Sequence, residues 1–135
     1  MDNAIADTAV RSHTALVAAL RNPVAYPHSV ETVEVVETHI SSVLLAGDYA
    51  YKLKKPVDLG FVDFSMLARR RYFCEEEVRL NRRSAPDLYL GVVPITRSRD
   101  GASLCVDGEG TPVDYAVRMR RFARDACLDQ LAQRG

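Results

Sequence analysis

The lysines of one short stretch, DYAYKLKKPVDLGFVDFS, are the residues whose type and spacing most strongly suggest chemistry. Lys52, Lys54 and Lys55 lie within four residues, in a segment that begins with a strand-like pattern and then reaches Pro56. A lysine ammonium is a compact cation that binds phosphate as a point charge. The cluster fits three interpretations: a solvated strand edge, a patch for nucleic acid, or a lysine directed at a phosphate group.

The composition favours one folded domain without a bulk charge. The 135 residues are 47% apolar, which is enough for a hydrophobic core, and 18 basic residues balance 18 acidic ones. No general attraction to nucleic acid or to an anionic membrane is expected. The basic runs ARRRY, LNRRS and RMRRF are interspersed with acids. We interpret them as solvated faces with pairs such as Glu75 with Arg79.

The cysteines and the N-terminal segment favour a cytoplasmic protein. Three cysteines lie far apart, with no zinc-ligand spacing: Cys74, Cys105 and Cys127. An odd count argues against a disulfide framework, so buried, reduced thiols are expected and no metal site is predicted. The segment MDNAIADTAVRSHTALVAAL has early acids and no long apolar run. It is therefore predicted to be neither a signal peptide nor a membrane span.

Apolar periodicity predicts the order of the secondary structure elements. Helices show apolar residues near i, i+3, i+4 and i+7, and strands show alternation with β-branched side chains. In chain order we expect a helix over Asn3–Leu20, strands over Thr32–Ile40, Ser42–Ala46 and Tyr49–Lys54, a helix from a Ser65 cap to Arg83, strands over Tyr89–Thr96, Ser103–Val106 and Val113–Met119, and the beginning of a helix at Asp125–Gln133. This order favours an α+β fold. It has an antiparallel sheet of about five strands backed by one main helix, with an extra N-terminal helix.

The stretch SSVLLAGDYAYKLK predicts a β-hairpin. Gly47 and Asp48 suit a two-residue turn that pairs Ser42–Ala46 with Tyr49–Lys54. Period-two alternation assigns the side chains of the second strand to two faces, with Ala50, Lys52 and Lys54 on one and Tyr49, Tyr51 and Leu53 on the other. By the same alternation Lys55 points away from Lys52 and Lys54, and we interpret it as an ordinary solvated charge.

The central helix places a carboxylate on its apolar face. At about 100° per residue its apolar side chains cluster on one side. They are Met66, Leu67, Phe73, Cys74, Val78 and Leu80. Glu77 projects into the middle of this cluster, and an interior carboxylate needs a partner. Lys52 and Lys54 are available for that pairing; in the alternative, Glu77 lies at the edge of the stripe and reaches water.

Four stretches occur in an order that resembles a known family. They are VETHISSVLLAGDYAYKLKKPVDLGFVDFS, RRRYFCEEEVRLNRR, APDLYLGVVPI and YAVRMRRF, which span most of Val35 to Phe122. An Ala-x-Lys strand followed by a helix with an inward glutamate resembles the N-terminal lobe of a kinase. The chain most resembles aminoglycoside-phosphotransferase-like kinases. Its nearest match is the N-terminal part of bacterial bifunctional proteins that join such a domain to a P-loop ATP-binding domain.

The resemblance implies a binding site for ATP around the strand lysine. Lys52 would contact the phosphates and Glu77 would orient it. Lys54 and Glu76 are the alternative lysine and carboxylate, since the helical phase could differ by one residue. Ala50 would lie against the adenine ring.

The resemblance also assigns roles to two other segments. The THIS turn would lie over the phosphates, and it has no glycine. Its backbone amides and the hydroxyls of Ser41 and Ser42 would therefore serve, although Ser41 equally suits a simple turn residue. The VRMRRF segment, which contains Met119 and Arg120, would run into the linker whose backbone receives adenine.

The resemblance covers a small lobe and no large one. Residues 1–31 correspond to an N-terminal helix and linker, 32–122 to the sheet and central helix, and 123–135 to the beginning of a helix toward a C-terminal lobe. In the family that lobe supplies the catalytic aspartate and the magnesium ligands. The sequence has no His-x-Asp loop with a following Asn. No catalytic residue is therefore assigned, and no phosphoryl transfer by this chain alone is expected.

Two kinds of partner follow from an isolated small lobe. One is a separate C-terminal lobe that completes the enzyme. The alternative is a non-catalytic interaction module, which binds a partner through the surface that a large lobe would cover. That module predicts self-association through an exposed apolar patch. The patch would lie around Met119, Phe122 and Leu128.

Overall fold

The fold is α+β, with one antiparallel sheet of six strands, rather than about five, and a helix on each face. The computed structural model describes residues 12–57, 60, 63–101 and 103–121. Its elements are α1 (residues 12–19), a 3-10 turn (Pro23–Ala25), β1 (Val33–Glu37), β2 (Ser41–Ala46), β3 (Tyr49–Lys54), α2 (Leu67–Asn81), β4 (Tyr89–Arg97), β5 (Leu104–Val106) and β6 (Thr111–Arg120).

The strand order places β3 in the interior of the sheet. The order is β1-β2-β3-β6-β4-β5, and all neighbouring pairs are antiparallel. Because β6 lies between β3 and β4, β3 has a hydrogen-bonded neighbour on both sides. It is buried from Ala50 to Lys54. Side chains on either face of β3 therefore depend on the packing layer for their partners.

Each face of the sheet packs against one helix. On the α1 face the core contains Leu16, Val17, Leu20, Leu44, Tyr51 and Leu53. On the α2 face it contains Val43, Leu45, Ala50, Cys74, Val78 and Val117. The alternation predicted for β3 is confirmed, because Tyr51 and Leu53 belong to the first core and Ala50 to the second.

The predicted turn at Gly47 and Asp48 is also confirmed. Ala46 pairs directly with Tyr49, so two residues close the hairpin. Gly47 has a φ of +61°, in the left-handed region that side chains with a Cβ rarely adopt. A Cβ at Gly47 would also lie 2.8 Å from the carbonyl oxygen of Ser29. This position therefore requires glycine for conformation and for space.

The expected Ser65 cap of the central helix is wrong. The N-cap residue is Met66, and it makes no side-chain cap hydrogen bond. Asp63 Oδ1 accepts hydrogen bonds from both the backbone N–H and the hydroxyl of Ser65. The Ser65 hydroxyl is thus engaged in a turn that precedes the helix. At the other end the helix stops at Asn81, two residues before the predicted Arg83.

Two strands differ from their predicted limits for local reasons. β1 ends at Glu37 rather than Ile40, because the Thr38 amide donates to the Ser41 carbonyl at 2.8 Å and turns the chain. β6 begins at Thr111 and includes Pro112. There β6 pairs only with β4, beside a register shift. A strand can hold proline at such a position.

Several predictions fall outside the described residues. They concern the beginning of the first helix at Asn3, the last helix at Asp125–Gln133 and the division at 123–135. Within the described part, residues 12–19 are helical as predicted. Among the described residues, no helix combines the length and the apolar character that a bilayer crossing requires.

We expect Gly47→Ala to lower the free energy of unfolding by about 2 kcal/mol, because it combines left-handed strain with crowding. Gly101→Ala is the matched control. Gly101 also has a positive φ, of +74°, but nothing lies within 4 Å of a Cβ built there. The Gly101→Ala substitution should lower the free energy of unfolding by about 1 kcal/mol. Urea denaturation measures both variants, and equal losses would contradict the crowding at Ser29.

Candidate functional site

Lys52 and Lys54 of β3 lie on the α2 face, in the middle of the sheet. Lys52 has Val43 of β2 on one side and Val117 of β6 on the other. The side chains of Lys52 and Lys54 are only 10% and 7% exposed. Ammonium groups this deep in a protein require partners, because an unpaired buried charge costs several kcal/mol.

Glu77 of α2 is the partner of both lysines. Its Oε1 accepts a hydrogen bond from Lys54 Nζ at 2.8 Å, and its Oε2 lies 3.4 Å from Lys52 Nζ. The Glu77 side chain is 14% exposed. The predicted pairing of Glu77 with the inward lysines is therefore confirmed. The closer lysine is Lys54, which the sequence offered only as the alternative.

The electrostatics of this lysine cluster (Lys52, Lys54 and Glu77) leave one cation in excess. Burial alone would raise the pKa of Glu77, but Lys54 and then Lys52 outweigh it and hold that pKa below its ordinary value. Glu77 is therefore a carboxylate at neutral pH. The Phe64 ring lies 5.2 Å from Lys54 Nζ and adds a cation–π contact.

The other two glutamates of the EEE run point away from the lysines. Glu76, the alternative carboxylate, accepts from Arg79 in an exposed pair at 2.5 Å, so its pairing with a lysine is wrong. Glu75 lies 3.8 Å from Arg71 rather than pairing with Arg79 as expected. The helical phase that placed Glu77 inward was the correct one.

The apolar stripe predicted for α2 is only partly buried. Cys74 and Val78 are buried, whereas Met66 and Leu80 are more than half exposed. Burial raises the pKa of the Cys74 thiol to about 12, so this cysteine is an inert core residue. The helix therefore packs by a narrow strip in which Glu77 takes the place of an apolar residue.

Ser41 and Ser42 lie on opposite faces of the sheet. Ser41 pairs across the strands with Lys54, and its hydroxyl is buried with no hydrogen-bond partner. Ser42 donates to Glu37 at 2.9 Å and contacts His13 of α1. The structure therefore brings Ser41 to the lysine side and separates Ser42 from it, because successive strand residues alternate.

Ala50 and Met119 do not form an open surface. They pair across β3 and β6, and both are buried in the α2-face core. In the described residues Ala50 has no exposed face on which an adenine ring could pack as the resemblance expects. The burial of Met119 also contradicts its place in an exposed apolar patch, while Phe122 and Leu128 lie outside the described part.

The strand end that contains Arg120 is already hydrogen-bonded. The Arg120 amide donates to the Leu88 carbonyl, and the next amide, of Arg121, donates to the Asp48 carbonyl, each at 2.8 Å. The Arg120 side chain is exposed and makes a long contact with the Asp87 carbonyl. These two backbone amides are engaged by carbonyls of the same domain, so they are not free donors for an adenine base.

The sequence patterns did not predict two buried polar groups, the Arg70–Asp114 ion pair and His13. Arg70 of α2 donates to Asp114 of β6 at 3.0 Å, and both side chains are buried. Burial raises the pKa of Asp114 even beside Arg70. His13 of α1 is buried as well. The position of Arg70 near the apolar stripe was a usable signal; no pattern identified Asp114 or His13. Within the described ranges, no cluster of His, Cys, Asp or Glu could hold a metal ion.

Comparisons with known proteins reach only uncharacterized relatives. The sequence matches no protein-family model, and no solved structure matches it. Uncharacterized proteins of Mycobacterium bovis and of two strains of Mycobacterium tuberculosis are 38% identical over 90 residues. The alignment covers 67% of this chain and 16% of each relative. These names assign no activity, so the kinase resemblance stays a prediction.

Removing the shared carboxylate should destabilise the protein. We expect Glu77→Gln to lower the free energy of unfolding at pH 7 by about 3 kcal/mol, because two buried cations lose their partner. The folded-state pKa of Glu77 lies below its ordinary value of 4.5. Its stabilisation is therefore present above pH 4.5 and is lost as the pH falls through the folded-state pKa. In urea denaturation, the difference in the free energy of unfolding between wild type and Glu77→Gln should therefore become smaller as the pH falls below 4.5.

Glu76→Gln is the matched control for this experiment, since Glu76 lies one residue away and contacts Arg79 instead. It should leave the free energy of unfolding nearly unchanged at every pH. A Glu77→Gln variant as stable as wild type, or a difference that does not depend on pH below 4.5, would contradict the shared ion pair.

Proposed function

We propose that this chain is the nucleotide-binding small lobe of an aminoglycoside-phosphotransferase-like kinase, in which Lys52 binds the phosphates of ATP and Glu77 orients Lys52. The observation that carries the proposal is the charge of the lysine cluster. Two buried ammonium groups share one carboxylate. One positive charge is therefore in excess at the cluster, and a phosphate group is an anion that would balance it.

The distances from Glu77 favour different roles for the two lysines. Lys54 Nζ makes the short hydrogen bond to Glu77, whereas Lys52 Nζ lies 0.6 Å further from the carboxylate (3.4 Å against 2.8 Å). Lys54 therefore serves best as the structural partner of Glu77. Lys52 is the lysine that can give up its weaker contact and bind a phosphate oxygen. This assignment agrees with the Ala-x-Lys match, which also selects Lys52.

A second donor lies beside the cluster. The Ser41 hydroxyl is fully buried, has no hydrogen-bond partner and stands across from Lys54 at the end of β2. Leaving a buried hydroxyl without a partner costs about 1–3 kcal/mol. Because the Ser41 hydroxyl has no accessible surface, a phosphate oxygen would accept from it and remove that cost only if this end of the strands opens on binding. The turn before Ser41 connects β1 and β2, which is where the resemblance expects the phosphates to be covered.

The proposal for this chain is binding. In the family that it resembles, the γ-phosphoryl group passes to a small molecule, and a C-terminal lobe supplies the base and the magnesium ligands. ATP is the proposed nucleotide because of that resemblance. The buried state of Ala50 and Met119 means that the phosphate end of the site has the stronger physical support.

The test is calorimetric titration of the chain with ATP and magnesium. We expect Lys52→Met to weaken binding by about tenfold or more, since a charge-assisted hydrogen bond contributes about 1.5–3 kcal/mol. Arg79→Met is the matched control. Arg79 is an exposed cation of α2 that pairs with Glu76 at 2.5 Å, away from the lysine cluster. The Arg79→Met variant should bind ATP with wild-type affinity, and circular dichroism checks that each variant is folded.

Competition experiments distinguish binding of the phosphates from binding of the adenine base. Inorganic pyrophosphate should displace ATP, and adenosine should not, if the excess cation drives binding. Equal heats for wild type and a folded Lys52→Met variant would remove Lys52 from the site. No heat with wild type, or displacement by adenosine alone, would contradict phosphate binding by the lysine cluster.

A further inference from the structure

Lys54 is held from two sides, by a carboxylate and by an aromatic ring. Glu77 Oε1 accepts a hydrogen bond from Lys54 Nζ at 2.8 Å. The Phe64 ring lies over the same nitrogen, with 5.2 Å between Nζ and the ring centroid. Glu77 belongs to α2, and Phe64 belongs to the segment that connects β3 to α2. A residue that fixes both Glu77 and Phe64 therefore controls the position of Lys54.

The Phe64 ring is fixed by contacts of its own backbone and by α2. Phe64 is only 5% exposed. Its amide donates to the Val57 carbonyl at 2.8 Å, and its carbonyl accepts from Arg70 Nη1 at 3.0 Å. The ring also makes an edge contact with the Phe73 ring of α2, with 5.2 Å between the two centroids. The ring therefore reaches Lys54 from a backbone that cannot turn without breaking hydrogen bonds.

Arg70 joins α2, the connecting segment and β6 through one guanidinium group. Its Nε donates to Asp114 of β6 at 3.0 Å, and its Nη1 donates to the carbonyls of Phe64 and Ser65. The side chains of Arg70 and Asp114 are both buried. The planar fork of arginine offers separate donors in these directions, whereas lysine presents all its hydrogens on a single nitrogen. Arg70 therefore fixes the connecting segment and α2 to β6 at the same time.

The contact of Arg70 with β6 also determines the position of Glu77. Glu77 follows Arg70 by seven residues. This spacing is about two helical turns, so the two side chains leave the same side of α2. Glu77 Oε1 then lies 2.8 Å from Lys54 Nζ, while Oε2 lies 3.4 Å from Lys52 Nζ. If Arg70 released β6, the carboxylate would be able to move toward Lys52.

We propose that Arg70 is a positioning residue of the lysine cluster, which holds Lys54 on Glu77 and thereby leaves Lys52 available to bind an anion. The part about Lys52 rests on the proposed function, in which Lys52 binds the phosphates of ATP. Without Arg70, the Phe64 ring would leave Lys54, and Lys52 would take the stronger contact with Glu77. Arg70 makes its side-chain hydrogen bonds outside the cluster, so its effect passes through Phe64 and α2.

The first test is the nuclear magnetic resonance spectrum of the Lys54 side chain, measured on the full chain without nucleotide. Protons above an aromatic ring are displaced to high field, so the ε-methylene protons of Lys54 should resonate at higher field than those of Lys55. Phe64→Leu should abolish this displacement, because it removes the ring. Arg70→Lys should abolish most of it, although the ring and the charge are both retained. Arg79→Lys is the matched control, since it changes an exposed residue of the same helix, and it should leave the displacement unchanged.

The second test is a double-mutant cycle on ATP binding, measured by calorimetric titration with magnesium. We expect Arg70→Lys and Phe64→Leu each to weaken binding by about fivefold, because Lys52 must then break a stronger contact with Glu77. The double variant should lose clearly less than the product of about 25-fold, since both residues act on Lys54 through one connected set of contacts. Arg79→Lys should bind with wild-type affinity, and circular dichroism checks that each variant is folded.

The two tests separate this inference from the proposed function. If wild type gives no heat with ATP, the proposed function fails, and the Lys54 signals decide whether Arg70 positions that lysine. Unchanged Lys54 signals in a folded Arg70→Lys variant would overturn the inference, and so would two losses of affinity that multiply. If Arg70→Lys does not fold, Asp114→Asn takes its place, because it weakens the hold of Arg70 on β6 and keeps the shape of the side chain.

Discussion

Two buried lysines held by one buried carboxylate are the interaction on which the arrangement of this molecule depends. β3 is an interior strand, so Lys52 and Lys54 cannot reach water along the sheet. Their charges are tolerable because α2, which packs on β6 and β4, lies where the Glu77 side chain reaches both ammonium groups. The carboxylate thus constrains where the helix lies on the sheet, and the helix in turn completes the core of the α2 face.

A second ion pair holds the same helix by a contact of the opposite polarity. At Glu77 the helix supplies the acid and the strand supplies the cations; at Arg70 the helix supplies the cation and β6 supplies Asp114. The two helix residues are about two turns apart and on one side. The pKa values of the two carboxylates also shift in opposite directions. Two lysines outweigh the burial of Glu77 and lower its pKa, whereas burial outweighs one arginine and raises the pKa of Asp114.

The sheet separates two chemically different environments. The α2 face has two lysines that share one carboxylate, and the α1 face has an unsatisfied histidine nitrogen. Consecutive residues serve the two sides, because the Ser41 hydroxyl faces the lysines and the Ser42 hydroxyl orients His13. A shift of one residue in the register of β2 would exchange these roles. The register of the β2–β3 hairpin is therefore as important as any single side chain.

The sequence by itself determined the α+β class, the hairpin at Gly47 and the faces of β3, because these follow from periods of two and 3.6 residues and from local turn chemistry. It also favoured Glu77 as the inward acid of the EEE run and left Glu76 as the alternative, and the structure decided between them. Only the tertiary structure decided that Lys54 lies closer to Glu77 than Lys52 does. Periodicity assigns a side chain to a face, but the height at which a helix crosses a strand depends on packing. For the same reason Asp114 and the unsatisfied His13 had no local signal, because each contacts an element far away in the chain.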